Sequence, residues 1–138
     1  MEQQTWKALT TSENVSDLDF IESYNLGKIL PDLIPAGSRV LIDTYQFGFG
    51  IMLGAGDHNI FMDFTDPDYD AAVLDPKDYV EYVIVPDTNA RGAFYSINRF
   101  HPYLHDEGEE WATPVKGLPE TNGQWRLFKV IKWGLISN

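Results

Sequence analysis

Three aspartates stand where short apolar runs stop. Asp43 follows Val40-Leu41-Ile42, Asp63 follows Ile60-Phe61-Met62, and Asp87 follows Tyr82-Val83-Ile84-Val85-Pro86. If those runs are neighbouring parallel strands, the three carboxylates gather along one edge of the sheet, and the carboxyl edge is where open α/β sheets bind ligands. Clustered carboxylate oxygens suit a hard divalent cation or the hydroxyls of a sugar. Asp43, Asp63 and Asp87 are therefore the candidate ligands for a divalent cation, and Asp43, Tyr45, Asp63, Asp66 and Asp87 the wider candidate ligand-binding set. The ordinary alternative is capping: an Asp placed after a strand accepts hydrogen bonds from the free N–H groups of the next helix, and Asp87-Thr88 is well placed to do so.

Other patterns with chemical potential are weaker. Gly48, Gly50 and Gly54 follow a strand, but Thr44 to Phe47 intervene and too few residues follow Gly54 for the full helix that a dinucleotide fingerprint needs. Asp66-Pro67-Asp68-Tyr69-Asp70 opens like a calcium loop, yet its sixth and twelfth positions are Ala71 and Lys77 rather than Gly and Glu. Asp68-x-Asp70 matches the short acidic pair by which some sugar-nucleotide transferases hold a metal. Capping of the following helix by Asp66 or Asp68 accounts for the same residues. His101 and His105 are four apart, but Pro102 breaks the helix that a metal-binding pair would need. No Gly-x-Ser-x-Gly elbow and no Ser, His and Asp set stands out, so no catalytic residue is assigned. Four Trp, seven Tyr and eight Phe are present. Late ones such as Tyr103, Trp111, Trp125 and Trp133 could offer flat faces to sugar rings, or fill a core.

The elements that must position these residues follow from apolar periodicity. Leu26, Ile29, Leu30 and Leu33 fall on one helical stripe, with Ser16 or Asp19 able to cap its start. Pro31 should kink or end that helix near Leu30. Pro35-Ala36-Gly37-Ser38 reads as a turn into a strand at Val40-Leu41-Ile42, whose unbroken apolar run implies cover on both faces. Further strands are expected at Asn59 to Phe64 and Tyr82 to Val85, with helices at Tyr45 to Gly54, Tyr69 to Leu74 and Asn89 to Phe100. Asn122-Gly123 marks a turn before a last strand, Trp125 to Ile131, which should pair antiparallel at a sheet edge with Trp111 to Val115 as its partner. Residues 1–15 form a flexible lead-in, and 16–138 a single α/β domain. Its sheet is expected to be small and mostly parallel, of about four or five strands with helices on both faces.

Composition bounds the partners. The 138 residues carry a formal net charge of -11, which repels phosphate backbones and argues against nucleic acid. The absence of cysteine excludes disulfides, thiolate metal sites and a thiol nucleophile. No apolar run approaches the ~20 residues that span a bilayer, and Met1 to Thr10 does not read as a secretory signal. Two placements stay open, the cytoplasm if the chain is complete as given, or an excised part of something larger.

Three stretches carry a family resemblance. The first is Ile34-Pro35-Ala36-Gly37-Ser38 before Arg39-Val40-Leu41-Ile42-Asp43. The second runs from Ile60-Phe61-Met62-Asp63 through Asp68-Tyr69-Asp70-Ala71-Ala72 and Asp75-Pro76 to Tyr79-Val80-Glu81-Tyr82-Val83-Ile84-Val85. The third is His101-Pro102-Tyr103-Leu104 with Gly108 and Trp111. Together, over about residues 16–131, they resemble the extracytoplasmic C-terminal domain of bacterial polytopic membrane glycosyltransferases, which are similar to dolichyl-phosphate-mannose protein mannosyltransferases. In such enzymes the catalytic carboxylate lies in the membrane-embedded part. The resemblance therefore implies a non-catalytic accessory domain at the outer face of the cell membrane, concerned with acceptor recognition or structural support. Its partners would be the membrane-embedded part of the same polypeptide and a glycan or protein acceptor. The alternative is a stand-alone α/β domain that binds a ligand or metal at the carboxyl edge. A purely structural module would instead show a broad exposed apolar patch.

Overall fold

The structure, a computed structural model, describes residues 20–44, 48–88, 95–120 and 124–131. Helix α1 covers 20–33. It leads through a turn to strand β1 (Val40–Leu41), helix α2 (Gly48–Ala55), strand β2 (Phe61–Met62), helix α3 (Tyr69–Leu74) and strand β3 (Tyr82–Val85). Helices α4 (Ser96–Phe100) and α5 (Leu104–Glu107) follow, then strands β4 (Ala112–Val115) and β5 (Arg126–Val130). The fold is α/β, built on one five-stranded open sheet in the order β2-β1-β3-β5-β4.

The first three strands are parallel, with Val40 opposite both Phe61 and Tyr82. Because the chain moves from β1 to β2 on one side and then returns to β3 on the other, right-handed crossovers put α2 and α3 on opposite faces. Successive strand residues point to opposite faces. Every residue from Tyr82 to Val85 is buried, so both faces are covered there, as the unbroken apolar run implied.

The sheet departs from the sequence expectation in two ways. It is mixed rather than mostly parallel, because β5 runs antiparallel to both β3 and β4. The last strand also lies inside the sheet, between β3 and β4, and β4 forms the edge. The burial of β5 follows from that place: Leu127, Phe128 and Val130 are buried, whereas Arg126 and Lys129 are exposed. The edge strand β4 carries Pro114, which has no N–H to offer a further strand.

Local structure follows local chemistry. The turn before β1 is closed by the Ser38 N–H donating to the Pro35 carbonyl at 3.2 Å, and Gly37 at its third position takes φ +86°, where a side chain would be strained. Helix α1 runs three residues past Leu30 despite Pro31. Pro31 sits in the last turn, so the backbone bond it removes is one of few that remain. Its buried stripe is Ser23, Leu26, Gly27 and Leu30, while Ile29 faces outward. The offset has a steric cause. A Cβ on Gly27 would strike the Ile51 carbonyl, and one on Gly54 would strike that of Tyr24, so α1 and α2 meet backbone to backbone.

The expected helix at Asn89 to Phe100 is shorter, Ser96–Phe100, because Tyr95 is extended at its N-cap; residues 89–94, 45–47 and the turn at Asn122-Gly123 lie outside the described residues. Helix α5, a single turn, was not anticipated in that Pro- and Gly-rich stretch. Leu104 is fully buried at its start, and Gly108 ends it with φ +75°. The lead-in 1–15 and Trp133 also lie outside the described residues.

Candidate functional site

Parallel register brings the ends of β2, β1 and β3 to one edge of the sheet, with the end of β1 between the other two. What the side chains do there differs for each aspartate. Asp43 reaches across the switch point between β1 and β3, where its Oδ2 accepts the Ser96 backbone N–H at 2.6 Å. It therefore caps α4, a helix 53 positions later rather than the next one. The Tyr69 phenol joins the same group through a hydrogen bond with Ser96. Burial first, and then the neighbouring Asp43 carboxylate, pushes Tyr69 well above the usual phenol range, so it stays neutral. Asp43, Tyr69 and Ser96 thus tie β1, α3 and α4 together.

The raised phenol gives a pH dependence of known sign. An unfolded tyrosine ionises at about pH 10, whereas the folded one resists ionisation. This contribution to stability is therefore complete below that pH and is lost as pH rises above it. Tyr69→Phe should cost about 1 kcal/mol at neutral pH through the lost hydrogen bond. It should also flatten the fall in the urea midpoint above about pH 10. An alkaline slope unchanged by the substitution would remove Tyr69 as its source.

Asp63 makes a tight local turn, with its Oδ1 accepting the Thr65 N–H at 3.0 Å and the Thr65 hydroxyl at 2.5 Å. Asp66 is an anchor. Its Oδ1 accepts the Asp68 N–H and its Oδ2 pairs with Arg39 at 3.1 Å. The Asp68 N–H, followed by the Arg39 guanidinium, holds the Asp66 carboxyl below its ordinary range. Arg39 also donates to the Phe61 carbonyl, which fastens the loop after β2 to the strand pair. The start of α3 is organised by this Asp66 turn, and the Asp68 side chain makes no capping bond. Asp87 is half-buried beyond β3, and Tyr45 lies outside the described residues.

Among the described residues no group of three or more His, Asp or Glu side chains is placed to hold a metal ion. Asp43, Asp63 and Asp87 share an edge of the sheet without converging on one point. The glycines of the rejected nucleotide pattern likewise serve packing, Gly48 against the Asp43 carbonyl and Gly50 against Phe20 and Ser23. His101 donates from Nε2 to the Val73 carbonyl at 2.7 Å and stacks edge-on against Trp111, while His105 is buried between the Gln124 carbonyl and Asp106. Of the late aromatics singled out above, Trp125 is buried edge-on against Tyr95 and Trp111 is half-buried, whereas Tyr103 is 65% exposed.

A concave feature at this edge is a groove of about 570 Å³ beside the ends of β1 and β2, a size common for small-molecule sites. Phe49 and Met52 of α2, Phe61 of β2, and Phe64 supply apolar surface, and Thr44, His58, Asp63 and Thr65 supply polar groups. Phe64 is 68% exposed and Phe49 48%, high values for rings of this size. No protein-family model, curated protein or solved structure matches this chain. The site must therefore be read from its own chemistry.

Of the sequence-derived set, Asp63 and Asp66 line this groove, and Asp43 lies one residue from Thr44 on its wall. Phe49 and Phe64 were missed. A signal existed for the second: Phe64 directly follows the strand-terminal Asp63, so a strand that stops at Met62 leaves its ring at the rim. Two further hollows, of about 490 and 630 Å³, flank β4 and β5. The first is walled by the 115–120 connection, and the second by Glu107, Glu109 and Glu110 around His105 and Arg126.

Proposed function

We propose that this chain is a non-catalytic accessory domain of a bacterial membrane glycosyltransferase, held at the extracytoplasmic face and acting on the acceptor side of the reaction. The observation that carries this reading is the groove at the carboxyl edge, where exposed phenyl rings adjoin two carboxylates and two threonines, and where the Thr65 hydroxyl is held by Asp63 within a local turn. Such a surface suits a polar ligand with an apolar face. The three sequence stretches that resemble these enzymes cover β1, β2, β3 and part of α3, with Leu104 at the start of α5. Among the described residues no helix is long and apolar enough to cross a membrane, so in this reading the bilayer segments belong to another part of the polypeptide.

The test has two arms. The gene should encode many apolar spans in frame upstream of this segment. In membranes carrying that parent, deletion of this domain should lower sugar transfer from a lipid-phosphate donor, and the 138-residue chain alone should transfer none. A reading frame that begins at Met1, or transfer by the isolated chain, would overturn the proposal.

A further inference from the structure

We infer that the groove beside β1 and β2 is a subsite for one uncharged sugar ring. The inference rests on the acceptor-side reading above and gives that site its ligand class.

The argument begins with shape and surface. A cavity of about 570 Å³ is ample for a hexose. Phe64 and Phe49 line it with rings that are 68% and 48% exposed. A pyranose presents one face of C–H groups, which packs on a phenyl ring, and a girdle of hydroxyls that needs polar partners at the ring's margin. Asp63 is placed to be such a partner. Its Oδ1 is taken by the Thr65 N–H and hydroxyl, which fixes the orientation of the carboxylate. Its Oδ2 accepts no hydrogen bond from the described residues. That oxygen can accept from two hydroxyls of a bound ring. Asp66, by contrast, has both oxygens engaged and offers little to a ligand.

Charge narrows the class. Among the described residues no Lys or Arg lines the groove, while Asp63 does, beside an Asp66 already paired with Arg39, and the chain as a whole carries -11. Phosphates, uronic acids and nucleotides are therefore repelled. A metal-bridged anion is disfavoured by the lack of a metal-ligating group among the described residues. A purely apolar ligand would leave a carboxylate dehydrated against it at considerable cost. A neutral polyol ring satisfies both halves of the surface.

The test is a nitrogen-15 NMR titration of the 138-residue chain with methyl α-mannopyranoside, methyl β-glucopyranoside and sodium glucuronate. Contacts this few predict millimolar dissociation constants. Saturable shifts confined to amides around Phe49, Asp63 and Phe64 are expected with at least one neutral glycoside, and weaker or no response with glucuronate. Phe64→Ala, at an exposed position that tolerates truncation, should weaken binding about tenfold, and Asp63→Asn should do so while keeping the Thr65 turn. Four results would overturn the subsite: no saturable shift with either neutral glycoside, shifts that map elsewhere, equal binding of glucuronate, or indifference to Phe64→Ala. Concentration-dependent line broadening without a glycoside response would assign the groove to a protein partner and would count against it too. Glycoside binding together with an unaltered membrane assay would refute the accessory role but keep the subsite; the converse pair would do the reverse.

Discussion

Gly27→Ala should lower the unfolding free energy by about 2–3 kcal/mol, against the sign expected from helix propensity. In an open helix the same change is favourable, since Ala exceeds Gly by about 1 kcal/mol. Here the added methyl would strike the Ile51 carbonyl and come within 3.0 Å of the Ala55 nitrogen. Both are backbone atoms of α2, which cannot rotate away as a side chain can. Relief requires α1 and α2 to separate, and separation loosens Leu26 and Leu30, both fully buried beside the contact. At roughly 3–5 °C per kcal/mol for a domain of this size, calorimetry should record a fall of about 10 °C. A rise in midpoint would mean that the two helices do not approach as described.

Leu127→Ala tests the placement of β5. At a sheet edge with one face in water, a truncated leucine costs little. Leu127 is 1% exposed and sits opposite both Ile84 and Val115, between two hydrogen-bonded neighbours. Its removal leaves a cavity that the flanking strands cannot close, and the expected loss is about 2–5 kcal/mol. Urea unfolding should show a lower midpoint with an unchanged slope. A loss under about 1 kcal/mol would favour a peripheral strand after all.

How far the fold could be read from the sequence depended on range. Val40-Leu41-Ile42 and Tyr82 to Val85 were legible because a short unbroken run rich in β-branched residues is the pattern of a strand covered on both faces, and their burial bears this out. The turn at Pro35 to Ser38 was legible because Gly supplies a positive φ that few residues accept. The position of β5 was not, since strand order depends on pairings across the whole chain and Trp125 to Ile131 reads the same inside a sheet or at its margin. The site shows the same division. Asp63 could be flagged as a strand-terminal carboxylate, but nothing near Asp43 in sequence announces Ser96 as its partner. Phe49 and Phe64 look like core residues until β2 proves to stop at Met62 and α2 turns its Phe49 face outward.

The two borders of the sheet share a property with consequences for crowding. One is β2, only two residues long, and the other is β4, interrupted by the imino acid Pro114. Neither offers a neighbour a long row of free amide and carbonyl groups on which to extend the ladder. Copies packed densely side by side should thus stay separate rather than stitch together into ribbons.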